Sequence, residues 1–204
     1  MLSAETKKLT FKQQQLVFRE NAILDAVNGL LAKKGFDLMT MDEVAAEVGI
    51  AKASLYKHFE SKEILSAASM TRLMEQTIAV ALSLPEALPP MDKLKAIVSW
   101  AIRTHLGGTM PRLPSTRSSI QQALLAYPPY IEKLSALTER LGTWIEQAQA
   151  DGTLSRTLPG EVILYTIFAR SCDPVADFLK MGGAFTDDEI IDLLIRTCFE
   201  GMTG

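Results

Sequence analysis

The chain has 204 residues, of which 48% are hydrophobic, and a formal net charge of −3. This length accommodates one large domain or two small ones with a packed core. No uninterrupted apolar run approaches the roughly 20 residues that a membrane-spanning helix needs, so we expect no membrane partner. The first fifteen residues lack the apolar stretch of a secretion signal, and neither Cys172 nor Cys198 belongs to a CxxC pair. We therefore expect a cytoplasmic protein.

The first long segment predicts an amphipathic helix over residues 11–34. Its apolar residues recur at helical spacing, and Gly35 follows as a terminator. Residues 1–10 are polar, and we expect them to be mobile. The basic residues Lys7, Lys8 and Lys12 allow two interpretations: an arm that reaches the minor groove of DNA, or a disordered solubilising tail, which the composition favours.

The next segment, from Thr40 to Glu63, predicts two short helices joined by a tight turn. Thr40 and Glu43 have the spacing of a capping box, and Gly49 can leave the first helix with positive φ. The second helix, Lys52 to His58, has a polar face without an acidic residue. Such a helix pair is typical of a helix-turn-helix, whose second helix enters the phosphate-walled major groove.

The remaining chain predicts further helices and no strand. Ser61 caps a helix that ends near Leu84, and later helices start near Met91, Thr116 and Pro128. Two more helices cover residues 159–181, with a kink at Pro174, and the segment that begins at Asp187. We predict an all-α fold of eight to ten helices. An N-terminal three-helix helix-turn-helix head (residues 1–62) is joined to a larger C-terminal helical domain for ligand binding and dimerisation (residues 63–204).

Residues 23–65 read ILDAVNGLLAKKGFDLMTMDEVAAEVGIAKASLYKHFESKEIL, and this stretch resembles the N-terminal domain of tetracycline-repressor-like transcriptional regulators. The resemblance covers about the first third of the chain. It implies a homodimer that binds double-stranded operator DNA and leaves it when a small-molecule effector binds the C-terminal domain.

The resemblance also assigns roles to residues of the head. It places Thr40 and Lys62 on backbone phosphates. Lys52, Ala53 and Ser54 would lie near base edges, and Tyr56, Lys57 and His58 would contact phosphates or bases. One position departs from the family, because Ala51 stands where many relatives have a Ser or Thr cap.

Candidate ligand-binding residues come from the helices that would wall a pocket. They are Trp100, His105, Gln121 and Phe168. For His105 a second interpretation stays open and is favoured, namely a core histidine with a satisfied hydrogen bond. No cluster has metal-ligand spacing, so we expect neither a metal site nor a cofactor.

The helix over residues 159–181 and the last helix are apolar on more than one side. A helix of this kind must be covered on both faces, so we predict dimerisation through the last two helices, with Phe178, Ile191 and Ile195 as candidate interface residues. The alternative is central burial within a monomer.

Together these features favour a DNA-binding transcriptional regulator, most simply a repressor that a small, largely apolar ligand releases from a palindromic operator. Two other kinds of protein, an enzyme and an architectural factor, would need different features. An enzyme would need a nucleophile–base pair, a metal cluster or a phosphate-binding glycine loop, and the sequence presents none, so we predict no catalytic residue. A ligand-independent architectural factor would lack a cavity in the C-terminal domain.

Overall fold

The computed structural model describes residues 10–111 and 120–201, and these residues form ten α-helices and no β-strand. The prediction of an all-α protein is confirmed for this part of the chain. The helices are α1 (Phe11–Leu38), α2 (Met41–Val48), α3 (Lys52–His58), α4 (Lys62–Ser83), α5 (Pro90–Leu106), α6 (Ile120–Leu125), α7 (Pro128–Asp151), α8 (Gly160–Arg170), α9 (Pro174–Gly182) and α10 (Asp187–Phe199).

The local signals of the head are those that the sequence predicted. The Thr40 side chain accepts from the Glu43 amide while the Glu43 carboxylate accepts from the Thr40 amide, so the capping box of α2 is complete. Gly49 ends α2 with φ 73°, a conformation that costs glycine no steric strain. Gly35 has φ 76° and kinks α1 before its last residues, so the Lys34–Gly35 end of the helix is confirmed as a change of direction.

The core of the head extends beyond its three helices. Ile23, Val27, Val44 and Leu55 are fully buried at its centre. The same cluster contains Leu65, Ala67 and Met70 from α4 and Ile120 and Leu124 from α6. The predicted boundary after residue 62 coincides with the start of α4, but the packing continues across it.

The larger cluster lies in the C-terminal body. There α7 packs between α4 and α5, and α8 and α10 close the sides. Fully buried members include Leu94, Ile102, Leu141 and Ile190. None of the described helices is long and apolar enough to cross a bilayer.

The predicted helix over residues 159–181 needs a correction, because the chain forms two helices there. Helix α8 ends at Arg170 and α9 begins at Pro174. Pro174 has no amide hydrogen to donate to a continuing helix, and it disfavours helical geometry at Asp173. The Asp173 side chain instead caps α9 by accepting from the Val175 amide, at 3.0 Å. The predicted kink is therefore a break.

Two other predictions lie outside the described residues. Lys7 and Lys8, candidates for a minor-groove arm, are among them, and so is the predicted helix start at Thr116. Lys12 lies on the first turn of α1.

Helix α3 begins without a side-chain cap, because Ala51 at its N-cap has extended geometry but no acceptor. We predict that Ala51→Ser stabilises the protein by about 0.5–1 kcal/mol, since a serine hydroxyl accepts an amide that is otherwise left to water. Denaturant unfolding followed by circular dichroism measures the difference. Ala53→Ser is the matched control, because serine inside the helix has a lower propensity than alanine and should destabilise slightly. Equal effects of both substitutions would contradict the capping argument.

Candidate nucleic-acid interface and ligand cavity

The second helix of the helix-turn-helix, α3, is attached by its apolar side. Leu55 is 0% exposed, and Phe59, which follows the helix, is 8% exposed. Lys52, Ala53, Tyr56 and Lys57 are exposed and Ser54 is half-buried. The predicted DNA contacts at these positions therefore lie on a continuous outer face of a helix that two buried side chains hold in place.

Lys52 is not an isolated cation on that face. Its Nζ donates to Asp42 Oδ2 at 2.8 Å, and both side chains are largely exposed. This hydrogen bond to the Asp42 carboxylate raises the pKa of the Lys52 ammonium. The sequence pattern showed no acidic residue within α3, but it did not show that α2 supplies a carboxylate to the first residue of α3.

Thr40 and Lys62 are both exposed enough for contact, and both already have partners. The Thr40 hydroxyl takes part in the capping box, while Glu43 also binds Lys34, and this ion pair lowers the pKa of Glu43. Lys62 donates to the carbonyls of Phe36 (3.1 Å) and Met39 (3.2 Å). An ammonium has three hydrogens, so one donor of Lys62 remains for a phosphate.

His58 lies elsewhere than predicted. Its side chain is only 7% exposed, and Nδ1 is 3.4 Å from Glu20 Oε1 of α1. The end of α3 therefore turns His58 toward α1 and away from the exposed face. For this reason we do not include His58 among the proposed DNA contacts.

A cavity of about 450 Å³, partly open to the surface, lies in the body between α4, α5, α6, α7 and α8. Three of the four predicted ligand residues line it, namely Trp100, Gln121 and Phe168. Leucine, isoleucine and methionine side chains make up much of the rest of its wall, together with a few polar residues such as Thr77, Thr138 and Tyr130. None of the described residues that line it is Asp, Glu, Lys, Arg or His. Such a cavity suits an uncharged apolar group.

Three polar groups of the cavity wall offer little to a charged ligand. The Thr77 hydroxyl donates to the Leu73 carbonyl at 2.9 Å, and the Cys172 thiol donates to the Pro111 carbonyl at 3.5 Å. Burial raises the pKa of Tyr130, so its phenol stays protonated at neutral pH. Within residues 10–111 and 120–201, no three His, Cys, Asp or Glu side chains are grouped to hold a metal ion.

His105 does not line this cavity, and this corrects its prediction as a ligand contact. Its Nε2 lies 3.0 Å from Asp177 Oδ1 of α9, and the side chain is 8% exposed. Lys180 of α9 donates to the Leu106 carbonyl at 2.9 Å. The favoured alternative, a core histidine with a satisfied hydrogen bond, agrees with the contact of Nε2, whereas Nδ1 is buried without a partner among the described residues. These contacts of His105 and Lys180 hold α9 against the end of α5.

A second depression, of about 870 Å³, lies in the head between the first turns of α1 and the helix pair. Lys12, Arg19, Val48 and Ile50 line it. It is a wide surface groove next to exposed Phe18, whereas a small-molecule site is normally enclosed. The cavity of the body is therefore the better candidate for a small ligand.

The predicted interface residues separate into two groups. Phe178 is 68% exposed, and Tyr165, Val175 and Met181 are exposed near it in sequence on α8 and α9. Ile191, in contrast, is 4% exposed and packs in the core of its own chain, so its side chain is not available to a partner.

Helix α10 contributes little apolar surface. Ile195 packs partly against the same core. The exposed side chains of this helix are mostly polar, including Asp188, Asp192 and Arg196. Among the last three helices, the exposed large apolar side chains therefore lie on α8 and α9.

Comparison with known proteins identifies the head. The sequence pattern of the family described as bacterial regulatory proteins, tetR family, matches residues 23–68. A related protein is the biofilm operon icaADBC negative transcriptional regulator IcaR of Staphylococcus aureus, 46% identical over 44 residues. This match covers 22% of the present chain and 24% of IcaR. The relatives found by sequence are thus matched over about a quarter of their length.

Solved structures match nearly the whole chain. The transcriptional regulator FadR from Bacillus subtilis in complex with stearoyl-CoA has a TM-score of 0.69 at 16% identity, and the match covers 90% of this chain and 99% of FadR. AibR in complex with isovaleryl coenzyme A and operator DNA has a TM-score of 0.57 at 22% identity, over 89% and 98% of the two chains. At these identities the likeness establishes the fold.

The cavity has a consequence for stability, because a larger side chain can enter it without displacing its neighbours. Ala101 lines the cavity, whereas Ala148 is fully buried and does not line it. We predict that Ala101→Leu changes the free energy of unfolding by less than about 1 kcal/mol, because the added carbons enter empty space. Ala148→Leu should destabilise by about 1–3 kcal/mol through overpacking. Chemical denaturation measures both values, and equal losses would show that no such cavity exists in solution.

Proposed function

We propose that this chain, whose residues 23–68 match the tetR family of bacterial regulatory proteins, is a cytoplasmic transcriptional repressor that binds a palindromic operator as a homodimer. A small, largely apolar ligand in the body would release it. The observation that carries the proposal is the helix pair of the head. Helix α3 is fixed by buried Leu55 and presents Lys52, Ala53, Tyr56 and Lys57 on its outer face.

The outer face of α3 has the chemistry of a major-groove contact. Its N-terminal residues, Lys52, Ala53 and Ser54, are the ones that a recognition helix directs at base edges. Tyr56 and Lys57 offer donors to phosphates, while Thr40 and Lys62 would bind the backbone on either side. Phosphate contacts set the register on the duplex and base contacts supply the sequence preference.

A second copy of the chain is part of the proposal. Two recognition helices must lie about 34–36 Å apart to read successive turns of one DNA face. The exposed apolar side chains Tyr165, Val175, Phe178 and Met181 on α8 and α9 are the surface that the partner would cover. Ile195 would lie at its margin, and Ile191 is excluded by its burial.

The proposed effector carries an uncharged apolar portion that fills the cavity beside Trp100, Gln121 and Phe168. FadR is described in complex with stearoyl-CoA, and AibR with isovaleryl coenzyme A. Both ligands join an acyl chain to a polar anionic group. The wall of the present cavity would accept the acyl chain, whereas the anionic group would remain outside, because no lining residue in the described part of the chain offers it a cation.

Release would follow from coupling between the two sites. If the ligand and the operator favour different separations of the two heads, each weakens binding of the other by the same factor. Helix α4 begins in the head at Lys62 and continues into the cavity wall at Leu73 and Thr77, so it is the element through which both sites would act. IcaR is a negative transcriptional regulator, which supports the proposed repressor role. We propose no catalytic function.

The proposal is tested by selecting binding sites from random duplex DNA with the purified protein at physiological salt. A palindromic consensus bound by two protomers, or by four, is the expected result. The selected duplex then serves to test release by acyl-CoAs of increasing chain length. Salt-sensitive binding without a consensus would contradict the proposed operator recognition.

Lys57→Ala is expected to weaken binding to every duplex. Loss of one phosphate contact should lower affinity about fivefold at 0.15 M salt. The slope of log K against log salt concentration should become less steep by about one. Fluorescence anisotropy over a range of salt concentrations measures both quantities. Lys95→Ala, the same charge change on α5 of the body, is the matched control and should leave both unchanged. Ser54→Ala should instead change the base preference, and the assignment fails if neither head variant changes DNA binding.

A further inference from the structure

We propose that Asp42 and Lys52 act as one unit that reads a guanine in each half of the operator, with Asp42 as a positioning residue that directs Lys52 to bases instead of phosphates. This inference rests on the proposed function. It assigns a role in sequence preference to Asp42, which lies outside the recognition helix.

The ion pair joins the two helices of the helix-turn-helix at one end. Asp42 is in the first turn of α2 and Lys52 is the first residue of α3, and their charged atoms are 2.8 Å apart. Both side chains are accessible, with 49% of Lys52 and 70% of Asp42 exposed. The pair therefore lies on the outer surface, at the N-terminal end of the helix that enters the groove.

The pair leaves Lys52 with the donors that a guanine needs. An ammonium has three hydrogens and accepts nothing, and one hydrogen is given to Asp42. Two remain, and the major-groove edge of guanine presents two acceptors, O6 and N7, to which lysine can donate. The hydrogen bond to Asp42 also restricts a long, flexible side chain to one region of space.

The Asp42 carboxylate repels phosphates and bases to different degrees. Lys52 and Asp42 together carry no net charge, so the pair releases few counterions when it approaches the DNA backbone. Asp42 repels a phosphate close to Lys52 but repels the neutral acceptors of a base much less. The contribution of Lys52 to binding is thus shifted from the sequence-independent part to the sequence-dependent part.

Two other lysines among the predicted DNA contacts, Lys57 and Lys62, differ in this respect. Lys57 on the same helix forms no ion pair within the described part of the chain, so its full charge is available to a phosphate. Lys62 is held by backbone carbonyls and not by a carboxylate, and it also keeps its full charge. Of the predicted DNA contacts on α3, Lys52 is therefore the lysine with a carboxylate partner.

The test compares the wild type with two variants in the full-length protein. Asp42→Asn keeps the shape of the side chain and removes the charge. The double variant Asp42→Asn/Lys52→Met removes the whole unit and leaves the net charge of the protein unchanged. Each protein is used for site selection from random duplexes, and each is titrated with the wild-type consensus and a scrambled duplex at several salt concentrations.

The expected results separate the two parts of binding. Asp42→Asn should raise affinity for the scrambled duplex about fivefold at 0.15 M salt and steepen the salt dependence by about one, because Lys52 can now bind a phosphate. The double variant should bind the scrambled duplex like the wild type. Its preference for guanine over the other bases at one position of each half-site should fall about tenfold. That position then becomes degenerate in the selected sequences.

Glu47→Gln is the matched control, since Glu47 is an exposed carboxylate on α2 without an ion pair in the described residues. It changes the net charge as Asp42→Asn does, so it should change the affinity for both duplexes by the same small factor. The selected consensus should stay the same. Melting temperatures establish that all variants fold.

Three outcomes would overturn the inference. In the first, the double variant still selects the same guanine. In the second, it weakens the consensus and the scrambled duplex equally, so that Lys52 acts as an ordinary phosphate contact. In the third, Asp42→Asn behaves like Glu47→Gln. If the wild type itself selects no consensus, the proposed function fails together with this inference.

Discussion

The structure depends on one helix that belongs to two cores. Leu65 and Met70 of α4 are buried in the cluster that holds the helix-turn-helix, while Leu73 and Ala81 of the same helix are buried in the body. A helix of 22 residues is about 33 Å long and its hydrogen-bond ladder resists bending. The head and the body therefore cannot change their relative position without moving side chains in one core or the other.

Helix α6 provides a second connection of the same kind. Ile120 and Leu124 pack in the core of the head, while Gln121 and Leu125 line the cavity. A ligand that pushed α6 outward would disturb the cluster that supports the recognition helix. Because cores are close-packed, an outward movement of α6 would also move the side chains that pack against it.

The contact between α1 and α4 combines apolar packing with polar pairs. Ser69 donates to Asn28, and Arg72 binds both Asp25 and the carbonyl of Asn21. The hydroxyl of Ser66 is buried without a hydrogen-bond partner among the described residues. The Ser69–Asn28 hydrogen bond is buried, and such a contact is stable only in the arrangement that satisfies it, so it favours one register of α1 on α4 over others.

Much of the fold could be predicted because its signals are local. The capping box at Thr40 and the glycine at residue 49 mark the helix-turn-helix within a few residues, and both are present as predicted. Where apolar residues cover one side of a helix, as on α3, the buried side was also predictable.

The predictions that needed correction depend on contacts between distant segments. Ile191 has the spacing of an interface residue, but which apolar side of α10 meets its own core is decided by α5 and α8. His105 and His58 are separated from their carboxylate partners by 72 and 38 residues, so no local pattern connects them. The pairing of Asp42 with Lys52 spans only ten residues, but it requires the angle between α2 and α3.

The measurement that tests this account most directly is hydrogen exchange along α4 and α6, with and without the operator duplex that the protein selects. Binding at the head should slow amide exchange past Leu73 of α4 and throughout α6, because both helices connect the two cores. Slower exchange that stopped within the first turns of α4 and spared α6 would contradict the account. The head would then bind DNA without the body, and the cavity would have no path by which to control it.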